Sequence, residues 1–102
     1  MSQIIYTDEA KRDLVRFANF LIENEAREQA QAVTSLILSS TSRLKEFPLI
    51  GKIYLIENKE FRELKIKYGS SGYACLYSFD PLTDIVLIHA FRHQRELGYT
   101  AS

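Results

Sequence analysis

The sequence has few of the features that are typical of secreted, membrane-bound or disulfide-stabilised proteins. Cys75 is the only cysteine in 102 residues, so no intrachain disulfide can form and a reducing compartment is expected. The start of the chain has no basic segment followed by an apolar run, and no apolar run approaches the length of a membrane span. We therefore expect a cytoplasmic protein without a signal peptide and without membrane contact.

The chain also lacks an excess of charge and the common cofactor motifs. Its 13 Lys and Arg residues balance 13 Asp and Glu residues, which does not favour a globally basic nucleic-acid binder but leaves room for a local basic patch. No spacing of histidines and carboxylates resembles a metal site. Gly69 to Gly72 joins two strands instead of opening a helix around a phosphate. We expect no metal and no cofactor.

What the chain does have is enough apolar sequence for one modest core. Hydrophobic residues make up 46% of the composition, and there is no repeat or low-complexity segment. Residues 1–102 are therefore expected to form a single domain.

The first half of the chain predicts a short strand followed by a helical hairpin. An apolar strand over Gln3–Tyr6 precedes Thr7, which is a suitable N-cap for a helix over residues 8–25. A second helix begins near Arg27 and closes before Pro48. Its apolar stripe contains Ala30, Val33, Ile37, Leu44 and Phe47.

The second half predicts three strands, over Arg62–Tyr68, Tyr73–Phe79 and Ile85–Phe91. The first strand alternates polar and apolar residues, so that Lys65 and Lys67 share one face. The last strand is nearly all apolar, as in a central strand covered on both sides. Together these elements predict an α+β fold in which an N-terminal strand and an αα-hairpin pack on a small antiparallel sheet.

The segments between and after these strands allow further expectations. Gly69 and Gly72 both lie where the chain reverses, and positive φ is expected there. Lys52–Lys59 fits an extended segment or an edge strand. If the strands form a meander, the tail that contains His93 and Tyr99 comes close to the face that carries the lysines.

Four segments in this order resemble the RelE/ParE superfamily, the toxins of bacterial type II toxin–antitoxin systems, and the resemblance covers Ile4 to Tyr99. The segments are Pro48–Lys52, Phe61–Leu64, Gly72–Tyr77 and Arg92–Tyr99. The resemblance implies a small antitoxin partner, a hetero-oligomeric complex, and operator DNA bound only through the antitoxin. It also implies one of two targets, DNA gyrase in the ParE-like branch or mRNA on the ribosome in the RelE-like branch.

The nuclease branch of the superfamily has a residue pattern that this chain matches in part. Lys65, Lys67 and Tyr99 match, whereas Ala74 and His93 stand where the pattern has arginines. If the protein is a nuclease, the resemblance makes the following residues the candidate catalytic set: Lys65, Lys67, His93, Arg95 and Tyr99. The departures at Ala74 and His93 favour the ParE-like branch. In that branch the toxin inhibits gyrase by binding, without catalysing a reaction, and the system stabilises plasmids.

Three hypotheses are therefore open: a gyrase inhibitor, a ribosome-dependent endoribonuclease, and a binding module of the same fold that is not toxic. In each case the antitoxin is expected to lay a helix on an apolar groove or to add a strand to a free sheet edge. Ile53 and Leu55 are the expected contacts. Each candidate also has an ordinary structural interpretation, since Lys65 and Lys67 are equally typical of a solvated strand face.

Several other polar and aromatic residues are expected to serve the structure alone. His89 lies in an apolar strand and is interpreted as a core histidine with its hydrogen bonds satisfied. Arg62 shares the apolar face of its strand and is interpreted as a paired, structural arginine. Tyr73, Cys75, Tyr77 and Phe79 are expected in the core.

Overall fold

A mixed sheet of five strands, with two helices on one face, forms the structure. It is a computed structural model that describes residues 1–99. The elements are β1 Gln3–Tyr6, α1 Asp8–Glu23, α2 Arg27–Ser42, a 3₁₀ turn Arg43–Lys45, β2 Lys52–Ile56, β3 Lys59–Tyr68, β4 Ser71–Asp80 and β5 Ile85–His93. The strand order is β1-β5-β4-β3-β2. No helix in this part of the chain is both long and apolar enough to cross a membrane.

This architecture confirms the predicted α+β class and corrects the expected sheet. Strands β2 to β5 form the antiparallel meander, but β1 pairs with β5 in parallel, so the sheet is mixed. The chain path permits the parallel pairing, because α1 and α2 carry the chain from β1 to the far edge and the meander then returns it to β5 beside β1. The last strand is central, yet both helices cover only one of its faces.

The start and end of α1 are set by local hydrogen bonds. Thr7 is the N-cap, since its Oγ1 accepts a hydrogen bond from the N–H of Ala10 at 3.1 Å. The same hydroxyl donates to the carbonyl of His89 at 2.8 Å and so ties the helix to β5. The helix stops at Glu23, two residues before the expected end, and Glu25 adopts a left-handed φ of 58°.

Helix α2 is shorter than its sequence pattern predicts. Its buried stripe ends at Thr41, and Leu44 continues it from the 3₁₀ turn. The hydroxyls of Ser39, Thr41 and Ser42 donate to carbonyls three residues earlier, which closes the helix at Ser42. Phe47 is 58% exposed, so its expected place on the buried stripe is wrong. Helical spacing no longer applies after Lys45.

One core lies between the helices and the sheet. Tyr77 and Phe91 are the largest side chains in it that are fully buried, and Tyr73 and Cys75 lie beside them. The predicted burial of Tyr73, Cys75 and Tyr77 is confirmed, whereas Phe79 is only partly buried and packs against the core. Burial raises the pKa of the Cys75 thiol, which keeps it in the unreactive protonated form.

The two glycines of the β3–β4 reversal have different roles. Gly69 has a φ of 59°, as expected. Gly72 lies within β4, where a Cβ would meet the carbonyl oxygen of Ile66 at 2.5 Å. The expectation of positive φ at Gly72 is therefore wrong. This glycine is needed because two strands approach closely.

Strand β5 contains a bulge, and beyond it the side chains that face the core are the odd-numbered residues instead of the even-numbered ones. Leu76 pairs with Ala90, but the next residue, Tyr77, pairs with Ile88, so His89 is the extra residue. An extra residue shifts the two-residue alternation of a strand by one.

The bulge decides which side chains at the end of β5 face the helices. Before it, Val86 and Ile88 point into the core, whereas after it Phe91 does so. Arg92 consequently lies on the face opposite the helices, and His93 lies on the helix side, paired with Tyr73.

We expect Tyr77→Phe to lower the free energy of unfolding by about 1–3 kcal/mol. The Tyr77 hydroxyl accepts a buried hydrogen bond from the N–H of Gly51 at 2.8 Å, and the substitution leaves that donor unsatisfied. Urea unfolding followed by circular dichroism measures the change. Tyr54→Phe is the control, because its hydroxyl makes no hydrogen bond within residues 1–99. Equal losses in both variants would contradict this account.

Candidate functional site

Strand register places three functionally interesting residues in one row on the face opposite the helices, here called the outer face. Lys65 pairs with Ala74, and Ala74 pairs with Arg92. Directly paired residues share a face, and neighbouring strands lie about 4.8 Å apart. The Cα atoms of Lys65 and Arg92 are therefore separated by roughly 10 Å. Only the methyl group of Ala74 lies between them, which leaves a gap.

This gap is part of a depression of about 500 Å³, here called the cationic groove. Its charged, small and neutral polar lining residues include Lys65, Lys67, Ser70, Ser71, Ala74, Arg92 and Gln94. The lining contains three cationic side chains and no carboxylate. The end of β5 therefore does approach the face that carries the lysines, as expected. The cationic side chain that it places there is Arg92.

A network of polar contacts holds Arg92 at the edge of the groove. Its Nη2 donates to Glu63 Oε2 at 3.3 Å, and Glu63 Oε2 also accepts a hydrogen bond from the Tyr99 hydroxyl at 2.6 Å. The Tyr99 ring centroid lies 5.5 Å from the guanidinium carbon. Arg92 Nε is buried without a hydrogen-bond partner among the described residues.

The contacts with Glu63 keep Arg92 charged and Tyr99 neutral. Burial opposes the charge of Arg92, but Glu63 and Tyr99 together outweigh burial, and the pKa of Arg92 is raised. Burial and the hydrogen bond to Glu63 both raise the pKa of Tyr99, so its phenol stays protonated near neutral pH.

Glu63 and Arg92 are functional candidates that the sequence pattern missed. The resemblance pointed to His93, and simple alternation from Ile88 places Arg92 in the core. Only the bulge at His89 brings Arg92 to the outer face. The Arg92–Tyr99 segment in the sequence resemblance was the one signal that could have drawn attention to it.

The remaining predicted tail residues do not join the groove. The His93 ring packs edge-on against Tyr73 with centroids 5.1 Å apart, on the helix side. Its Nδ1 accepts a hydrogen bond from the N–H of Arg95 at 3.1 Å. The backbone N–H of His93 donates a hydrogen bond to Glu96 Oε1. The same oxygen forms an ion pair with Arg16 Nη1 at 3.1 Å. Lys65, Lys67 and Tyr99 thus lie on the outer face and His93 on the helix side, while Arg95 lies in an exposed turn after β5.

Two further residues have structural roles. His89 Nε2 lies 2.8 Å from Ser78 Oγ, and burial lowers the pKa of this imidazole. Its hydrogen bond is satisfied as expected, but the side chain is half-buried outside the core. Arg62 donates to the carbonyls of Leu49 and Gly51 at 3.1 and 2.8 Å, which confirms the structural interpretation.

The predicted antitoxin contacts lie on an edge strand. Among the described residues, β2 pairs only with β3, so its other side is free. Ile53 and Leu55 are 56% and 64% exposed. They point to the helix side of the sheet, because Ile53 pairs with Arg62 and Arg62 pairs with the core residue Tyr77. With Phe47, Leu49 and Ile50, which are also exposed, they form what we call the apolar edge.

Comparison with solved structures shows the same fold in toxin–antitoxin complexes. A chain of the chromosomal ParDE system from P. aeruginosa superposes with a TM-score of 0.74 at 15% identity, covering 91% of this chain and 96% of that one. A chain of RelBE2 from Mycobacterium tuberculosis gives 0.65 at 20% identity, covering 90% and 96%. A chain of the intact E. coli RelBE complex gives 0.59 at 17% identity, covering 94% and 100%.

Sequence comparison decides the family. No curated protein matches this sequence. A family model does match, and its description is the ParE toxin of the type II toxin–antitoxin system parDE. The match extends over residues 4–98, which is nearly the whole chain and includes both the cationic groove and the apolar edge. The protein therefore belongs to the ParE toxin family of type II toxin–antitoxin systems.

Proposed function

We propose that this toxin arrests growth by binding and inhibiting DNA gyrase, without catalysing a reaction of its own. The observation that carries the proposal is the division of the candidate catalytic residues. Lys65 and Lys67 lie on the outer face, whereas His93 lies on the helix side. The match to the ParE family model supports the same target.

The chemistry of RNA cleavage supports this choice. Attack by a 2′-hydroxyl group requires a general base, a general acid and positive charge near the phosphate. The cationic groove supplies the positive charge. The Tyr99 phenol is engaged with Glu63, and its pKa is raised, which disfavours a role as a base. Binding without catalysis requires none of these groups.

We further propose that a cognate antitoxin neutralises the toxin at the apolar edge. The three similar folds occur in toxin–antitoxin complexes, which supports an antitoxin partner. A free strand offers unpaired backbone groups, and the exposed Ile53 and Leu55 side chains offer apolar contact. Operator DNA would be bound only through the antitoxin, and the pair would act in the cytoplasm.

The cationic groove favours a second candidate function, a ribosome-dependent mRNA endonuclease. Three cations in one depression suit a phosphate in the transition state. A binding module without toxicity is the third alternative, and unaffected growth during induction without the antitoxin would support it.

We expect purified toxin to abolish supercoiling by gyrase when it is present at saturating concentration. A binding inhibitor occupies the enzyme and needs no turnover. Conversion of relaxed plasmid to supercoiled plasmid on agarose gels measures the effect. Toxin premixed with its antitoxin serves as the control and should leave supercoiling intact. Normal supercoiling with saturating free toxin would refute the gyrase proposal.

Primer extension on translated messages distinguishes the second candidate. We expect no new 5′ ends after toxin induction, because the acid–base residues are not assembled around the groove. If new ends do appear and Lys67→Ala removes them, the endonuclease replaces the gyrase inhibitor as the function.

We expect Leu55→Asp to weaken the antitoxin complex by at least about tenfold. Burying a leucine side chain contributes about 1.5–3 kcal/mol, and each 1.4 kcal/mol changes affinity about tenfold. Isothermal titration with the antitoxin encoded beside the toxin measures the loss. Leu82→Asp is the matched control, since Leu82 is 95% exposed in the β4–β5 turn, away from the edge. Equal affinity for both variants would remove the apolar edge as the antitoxin site.

A further inference from the structure

The cationic groove has no role in the gyrase contact as proposed so far. Three of the 13 Lys and Arg residues meet there in a chain of zero formal net charge. Like charges that are held together repel one another, so such a cluster costs free energy unless an anion offsets it. Glu63 offsets Arg92 in part, but it leaves both lysines uncompensated within the lining.

The groove is built into the sheet and does not depend on flexible side chains alone. Ala74, which pairs with Lys65, is a small lining residue of the groove, and Gly72, which pairs with Lys67, places no side chain beside that lysine. Larger side chains at either place would fill the space between the cations. Arg92 closes the opposite wall, where Glu63 and Tyr99 hold it.

The size and donor set of the groove indicate the class of anion. Its volume of about 500 Å³ admits much more than a single ion and lies in the range of sites that hold ligands of several chemical groups. Ammonium and guanidinium groups are the usual donors to phosphate oxygens. Ser70 and Gln94 at its margin add neutral hydrogen-bonding groups.

We infer that the cationic groove binds a phosphodiester of a nucleic-acid strand without cleaving it. Lys65 and Lys67 contact the phosphate from β3, and Arg92 contacts it from β5. On this basis the toxin touches both the protein and the strand that its target carries. This role rests on the proposed function, because gyrase acts on DNA.

The direct test is fluorescence anisotropy with a short labelled single strand, prepared as DNA and as RNA of the same sequence. We expect the K65A/K67A double variant to bind about tenfold or more weakly than the native chain. The slope of log affinity against log salt should fall by about 0.7 for each phosphate that the variant no longer neutralises. Lys67→Arg should retain binding.

Lys59→Ala is the matched control for the removal of a lysine. Lys59 is exposed on the same strand and the same face as Lys65. It lies six residues away, which is about 20 Å along a strand and outside the groove. The control should bind as the native chain does. Circular dichroism checks that all variants are folded, which is expected because the three lysines are exposed.

Each outcome of this experiment has a defined meaning. Binding of the DNA strand that depends on Lys65 and Lys67 supports the inference and identifies DNA as the source of the phosphodiester. The same dependence with RNA alone supports the groove and identifies RNA instead. Failure of both strands to bind, or equal weakening by Lys59→Ala, overturns the inference. The assay contains no gyrase, so its result is independent of the supercoiling experiment.

Discussion

The alternation of side chains along β3, β4 and β5 is the constraint on which the rest of the molecule depends. One face of these strands supplies the core beneath the helices, and the other face carries the cationic groove and the contacts among Glu63, Arg92 and Tyr99. The single bulge in β5 resets that alternation just before the strand ends. It lets Phe91 fill the core while Arg92 joins Lys65 on the outer face.

The two faces of the sheet hold the C-terminal tail by different means. On the helix side, Glu96 bridges Arg16 and the N–H of His93. On the outer face, Tyr99 and Arg92 share Glu63. The bond between Glu63 and Arg92 joins half-buried groups, so its strength depends little on salt, whereas the exposed pair of Arg16 contributes little. The tail is thus anchored mainly from the outer face.

Much of the fold could be predicted from the sequence, and the misses have local physical causes. Apolar periodicity identified both helices and the meander, and Thr7 marked the start of α1. The parallel pairing of β1 could not be derived, because strand order depends on packing between distant segments. The candidate site was predicted only in part. Alternation is a local rule, and the bulge at His89 breaks it without any proline or glycine to signal the break.

The bulge also affects how the sequence relates to surface chemistry in this fold. The same residues paired without a bulge would turn the guanidinium of Arg92 toward the helices and bring the His93 imidazole to the opposite side. Loss of the bulge at constant chain length would thereby exchange the cation of this surface for a titratable ring, at the cost of placing an arginine among aromatic neighbours. Related chains of equal length that carry or lack the bulge therefore present different groups even where aligned letters agree, so position-by-position comparison beyond the bulge misassigns their chemistry.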